Sequence, residues 1–421
     1  MGRGRGAGQH RHRPGAGSAG DGAGLRRGGD GGAACPSRRP RQHQPGGAGL
    51  EPGRWGARLL TATGGRSAAD HPAADHRARA FDAGGPTLGD IGEEALLSAL
   101  LEEGRRVSRL STAVVLGAGD DAAVWAPPAG RALAVTQDAL VEDQDFTRSW
   151  PGPYLLGRRA LVVSLCDLAA MGAQPAFCLV TFCAPPATQV DDVLAIQAGL
   201  CDEALRVGCS VLGGDVSRCD GPIVLDVVAG GTVVPGAMLR RDAGRAGDVL
   251  LVTGVLGRAA AGLRLLTEPT AAEGIAAADA ERWRRAQTEP MPRLVEGRLA
   301  AEAGVRCGGD LSDGLLADAA RTTGASGCAA ELWLDAIPVD AALPSAFPTD
   351  WVELALGGGE DFELLLAVPP GEQQRLHTAW PAHLAPLTEV GRLTEGAGVR
   401  LLDSRGGREL RPPAVRARHF R

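Results

Sequence analysis

From Pro86 onward the chain alternates apolar runs of strand length with stretches of helical period, and that alternation limits it to mixed α/β folds. Residues 91–103 space their apolar positions for a helix, and residues 112–116 and 132–136 are strand-like. A helix is expected over 157–171, with Leu161, Leu165 and Leu168 on one face. Another is expected over 189–206, with Val193, Ile196, Leu200 and Ala204 on one stripe. Strands are expected at 176–183 and 223–234. A polar, turn-rich stretch at 235–248 marks a domain boundary. The pattern then resumes with strand 249–253, helices 257–266 and 293–303, strand 304–309, helix 314–322, and strands 328–334 and 362–367. Two α/β domains are expected, over 86–236 and 237–421.

Residues 1–85 carry no such pattern. Residues 1–80 hold 20 glycines, and 14 arginines against 5 acids, whereas the remainder holds 30 arginines against 45 acids. The net charge of −6 therefore joins a basic segment to an acidic body. A chain so rich in Gly and Arg cannot bury enough apolar surface to offset the entropy of ordering it. A disordered tail, or a start site assigned too far upstream, is expected rather than a nucleic-acid-binding arm. The 421 residues contain no apolar stretch long enough for a membrane span.

Missing residue types narrow the chemistry. The chain has no lysine, which excludes a Walker A loop, the protein-kinase strand lysine and a pyridoxal Schiff base. Only His377, His383 and His419 lie beyond residue 80, too few for a His-rich zinc site and unfavourable for a Ser-His-Asp triad. The 9 cysteines form no C-x-x-C pair. Their odd number and scatter point to reduced thiols and a cytosolic protein, with Cys166, Cys178 and Cys183 as core residues.

What remains is carboxylate chemistry. Asp120-Asp121, Asp138, Asp215, Asp310, Asp313 and Glu360-Asp361 stand at Gly-rich turns or strand ends. One such site by itself is explained as readily by capping and turn formation as by ligand binding. Asp167 is different, because it sits in an apolar helix where an unpaired carboxylate is costly to bury. Six acidic sites with little histidine suit a hard cation such as magnesium, which takes oxygen ligands and commonly bridges nucleotide phosphates. Arg218, Arg240 and Arg241 are candidates to clamp a polyphosphate.

The strings GAGDDAAV, TQDALVEDQDF, LVVSLCDLAAMGA, GGDVSR, GDVLLVTGVLG, DLSDGL and GGGEDFEL occur in the order found in thiamine-monophosphate kinases. From about residue 88 to its end the chain resembles that family, within the aminoimidazole ribonucleotide synthetase-like superfamily. The resemblance implies a two-domain α/β (mixed α+β) architecture with an N-terminal sheet domain that dimerises. It also implies phosphorylation of thiamine monophosphate to thiamine diphosphate with ATP and several magnesium ions, with ATP bound between the domains. Asp121, Thr136, Asp138, Asp167, Asp215, Asp310 and Asp313 match metal positions. Gln137 stands at a further one, where Thr or Ser is common. Gly214, Asp215, Arg241 and Ser312 match ATP contacts. Glu360 matches an acceptor contact. Asp145 stands where the family carries a substrate-contacting histidine, and Ala417 where an aromatic residue packs on the substrate. No general base is expected, since a phosphate oxygen is the nucleophile. A degenerate nucleotide-binding homologue and a sister ATP-dependent synthetase are the alternatives.

Overall fold

The computed structural model describes residues 76–77, 79–150 and 152–413, all within one compact unit. The 1–85 segment therefore lies largely outside the described residues. Its described part is tied down: the Arg79 guanidinium and the Asp82 backbone N–H both bond the Asp192 carboxylate, at 3.2 and 3.0 Å.

The first half builds a four-stranded sheet. Helix α1 (Glu93–Gly104) precedes a small antiparallel pair, β1 (Val114–Leu116) and β2 (Val124–Trp125). Strands β3 (Ala132–Val141), β4 (Gln174–Ala184), β5 (Ser210–Arg218) and β6 (Val224–Val233) pair in the order β3-β6-β4-β5, and only β4–β5 is parallel. Helices α2 (Pro153–Ala170) and α3 (Val190–Val207) pack on one face. Pro153 opens α2 at a position where its missing N–H costs nothing. Gly208, with φ of 72°, closes α3 in the left-handed conformation. The core joins Leu156, Leu161 and Leu165 of α2 to Val193, Ile196 and Leu200 of α3 and to Leu140, Leu225 and Val227 of the sheet. The other face of the sheet exposes Leu133, Val135 and Leu179.

The second half builds a seven-stranded sheet. Its strands are β7 (Val249–Thr253), β8 (Cys307–Asp310), β9 (Ala329–Trp333), β10 (Leu364–Val368), β11 (Leu387–Thr394), β12 (Gly398–Leu402) and β13 (Glu409–Leu410). They run in the order β13-β12-β9-β11-β7-β10-β8. The central strands VLLVT and LLLAV are apolar without alternation because both faces are covered. Leu250 and Val252 meet α7 (Leu315–Ser326), while Leu251 meets the layer of α6 (Leu294–Glu302) and α9 (Pro370–Ala379). Helices α4 (Arg258–Thr267), α5 (Ala277–Thr288) and α8 (Trp351–Gly357) form a satellite core around Trp283.

Helix α2 belongs to both halves. Its Ala170 joins the apolar cluster of the second sheet, and a Cβ on Gly297 of α6 would sit 1.9 Å from the Ala169 carbonyl oxygen. Its crossing with α3 is equally close. A Cβ on Gly157 would lie 1.8 Å from the Ile196 oxygen, and one on Gly199 would lie 1.9 Å from the Tyr154 oxygen. Gly157→Ala should lower stability by about 2–3 kcal/mol through overpacking, read as a lower midpoint in urea unfolding.

Candidate active site

Strand alternation divides the Thr136-Gln137-Asp138 run between the two faces of the first sheet. Thr136 and Asp138 point toward α2, where the Thr136 hydroxyl bonds the Asp167 carboxylate. That bond, together with open space on one side, accounts for an acid within an apolar helix. Gln137 points the other way and donates to Asp226 at 2.6 Å. Burial, and next the charge of Asp167, push the Asp138 carboxyl up to about 6. Ser164 opposes this by hydrogen bonding, while Asp310 and Asp226 add to it.

Asp310 ends β8 and is 2% exposed. It brings the second half to the cluster and pairs with Arg241 at 3.0 Å. Burial and the Asp167 charge raise its pKa, and Arg241 opposes them. Of the three candidate clamps only Arg241 reaches this group. Arg218 pairs with Asp220 and Arg240 with Asp242, both at exposed positions.

The Asp310-to-Gly314 loop and the 357–363 loop are laced together by backbone bonds. Glu360 N–H donates to the Ser312 oxygen at 2.8 Å, Phe362 N–H to Leu311 at 3.0 Å, and Leu311 N–H to Glu363 at 2.8 Å. Asp318, on the first turn of α7, accepts the Asp313 N–H at 3.0 Å. Arg321 bridges the Asp318 and Asp313 carboxylates. Burial and the charge of Asp310 push the Asp318 carboxyl up to about 8. Glu360 has a left-handed backbone, with φ of 59°, and both its oxygens are bonded, by Arg159 and Gln287.

Asp121 and Asp215 lie elsewhere. With Asp120, Gln137, Thr181 and Asp226 they border a cavity of about 960 Å³ on the open side of the first sheet. Gly213-Gly214-Asp215 was expected at a turn after a strand, yet it lies inside β5. Gly214 is required there because a Cβ would meet the Val180 oxygen at 1.8 Å. Asp215 and Asp226 are each in register with Thr181 of β4. The structure thus gathers Thr136, Asp138, Asp167, Asp310 and Arg241 in one cluster. Asp121, Gln137 and Asp215 border the neighbouring cavity, and Ser312 and Asp313 lie on the adjoining loop. Asp145 bonds the Val141 N–H at 2.8 Å and closes its own turn. Ala417 lies outside the described residues. Cys166 and Cys178 are buried, but Cys183 is half-buried on the open face. All eight described cysteines are free thiols, and no described helix is long and apolar enough to cross a membrane.

The donor set fits a hard cation. Asp138 Oδ2 and Asp226 Oδ1 are buried without a hydrogen-bond partner, and each can only accept. Among the described residues no three acidic, Cys or His side chains converge tightly enough to enclose an ion by themselves. That matches an ion held by one or two carboxylates, with water and substrate oxygens completing its shell. Asp226, Asp318, Arg159 and Gln287 escaped sequence reasoning. Arg159 and Asp226 carried a signal, a charge within an apolar helix or strand like that of Asp167.

Fold and acid-lined site together define a two-domain protein of the AIR synthase related class. The family model for the AIR synthase related protein N-terminal domain matches residues 119–233, and that for the C-terminal domain matches 245–404. The thiamine-monophosphate kinase of Mycobacterium tuberculosis is 37% identical over 66% of this chain and 81% of its own length. The crystal structure of thiamine-monophosphate kinase from Stenotrophomonas maltophilia is 35% identical, covers 72% of this chain and 95% of its own, and superposes with a TM-score of 0.66. AaThiL complexed with AMPPCP and TMP is 28% identical, covers 78% of this chain and 97% of its own, and has a TM-score of 0.60. The chain belongs to the AIR synthase related proteins and, among them, to the thiamine-monophosphate kinase family.

The raised Asp138 gives a pH test. Its carboxyl titrates near 3.8 when unfolded and near 6 when folded. Between those values the folded chain holds a proton that the unfolded chain has lost, so this group removes stability as pH rises through the window. In chelator-treated protein, Asp138→Asn should therefore raise the thermal midpoint at pH 7.5 and lose that advantage at pH 4.

Proposed function

We propose that the protein uses ATP and magnesium to phosphorylate thiamine monophosphate to thiamine diphosphate. The observation that carries this reading is the meeting of Asp138 and Asp167 from one half with Asp310 from the other, close enough for their charges to raise the Asp138 and Asp310 pKa values. Like charges held together in a half-buried site favour a cation and, with it, a phosphate. The relatives' names and the AaThiL complex supply the acceptor and the donor.

Bound magnesium would neutralise phosphate charge and stabilise the transferring group. Asp138, Asp167 and Asp310, with Asp313 on the adjoining loop, would supply the one or two carboxylates that hold an ion on the α2 side, and Asp121, Gln137 and Asp215 would face a separate ion from the open side of the sheet. Thr136 fixes the rotamer of Asp167. Arg241 would orient a phosphate oxygen while paired to Asp310. Ser312 and Gly214 provide close polar and backbone approaches to the nucleotide. Glu360 would contact the acceptor. The chain's own task is alignment of two anions in line, which needs no histidine base.

A homodimer through the open face of the first sheet belongs to the same reading. Leu133 and Val135 of β3 and Leu179 of β4, on either side of β6, are exposed there, apolar positions suited to a second copy. A solution mass of one chain would remove this part.

With ATP, magnesium and thiamine monophosphate, chromatography should detect thiamine diphosphate, and chelator should abolish it. Asp310→Asn should lower kcat by about a hundredfold or more while leaving the circular dichroism spectrum intact. Diphosphate formation that persists in chelator, or in Asp310→Asn at the full rate, would overturn the reading.

A further inference from the structure

We infer that Arg159 and Gln287 are positioning residues that aim the Glu360 carboxylate at the acceptor; this rests on the acceptor role proposed for Glu360. Arg159 lies on α2, eight residues before Asp167, about 12 Å along the helix axis. Its side chain is 3% exposed, and a guanidinium cannot shed its charge to relieve burial. It has two partners, the Glu360 carboxylate and the main-chain oxygen of Gln287 near the end of α5.

Gln287 is 2% exposed and donates its amide N–H to the other oxygen of Glu360. Its own Oε1 is buried without a donor. The amide cannot be turned to repair this, because two acceptor oxygens would then face each other across Glu360. The desolvation of Gln287 is offset at one end only, and that end is Glu360. The Glu360 backbone is itself left-handed, at φ 59°, and is held by the Ser312 oxygen. Two donors from two helices thus fix both oxygens of a carboxylate on a strained loop. Through Arg159, the helix that carries Asp167 also sets the direction of the acceptor residue. The distance between acceptor and acidic cluster is built into one rigid element.

The test is steady-state kinetics with thiamine monophosphate and ATP varied separately. Gln287→Met keeps the bulk and removes the donor. It should raise the acceptor KM roughly tenfold and leave the ATP KM within about twofold. Arg159→Lys should fall between the wild type and Arg159→Met, since it keeps the charge and loses the second contact. A purely structural role would move both KM values together or lower the amount of folded enzyme. An unchanged acceptor KM in both Gln287→Met and Arg159→Lys, or a parallel rise in both KM values, would overturn the inference. Glu360→Gln separates the two failures. If it too leaves the acceptor KM unchanged, the acceptor role of Glu360 falls; if it raises that KM while Gln287→Met and Arg159→Lys do not, only the positioning role falls.

Discussion

The site depends on like charges held near one another by a helix shared between two sheets. Two carboxylates about 5 Å apart repel by roughly 3 kcal/mol at an effective dielectric near 20. Asp138 comes from β3, Asp167 from α2 and Asp310 from β8, so the repulsion acts between separately built parts. Helix α2 prevents the parts from moving away. It crosses α3 at Gly157 and Gly199 and meets α6 at Gly297, in each case with no room for a methyl group. The close packing absorbs a charge conflict that a bound cation would relieve, and that conflict is the physical ground for the cation site proposed above.

The second half contributes through two loops that behave as one. The backbone bonds between 311–312 and 360–363 tie the Asp310-to-Gly314 loop to the loop that carries Glu360. Asp318 and Arg321 hold the first loop from below by gripping the Asp313 N–H and carboxylate. Asp361 grips the opening of α4 through the Gly257 and Ala259 N–H groups, at 2.7 and 3.0 Å. Glu363 is bound by Arg293 and Thr253. Of the three acids in GGGEDFEL, Asp361 and Glu363 are taken up in structural roles, whereas Glu360, though bonded by Arg159 and Gln287, keeps its side chain partly exposed to a ligand.

How much of this was legible in the sequence depends on whether a local signal existed. Asp167 stood out because a charge in an apolar helix needs a partner, and Thr136 supplies it. The strands and helices with clear periods emerged near their expected places, including 249–253 and 190–207. Helix α5 did not, because only Ala280, Trp283 and Gln287 are buried along a polar stretch. The closing strands 387–394 and 398–402 escaped for a similar reason, since both mix buried and half-exposed positions and carry charged residues among the apolar ones. GGD looked like a turn because glycine favours turns, whereas Gly214 is needed for a carbonyl that approaches from β4. Asp318 and Gln287 gave no local cue, and the cue of Asp226, an acid within the apolar run IVLDVV, was passed over. Their roles arise from contacts across 5 to 89 positions of sequence.

The central claim is that the acids of both halves form one cation site that a nucleotide completes. The most direct measurement is manganese titration followed by electron paramagnetic resonance, with and without a non-hydrolysable ATP analogue. The account predicts weak metal binding to the protein alone and much tighter binding with the nucleotide, with both lost in an Asp138→Asn, Asp310→Asn double variant that remains folded. Equal metal binding by the wild type and the double variant, in the presence of nucleotide, would contradict it.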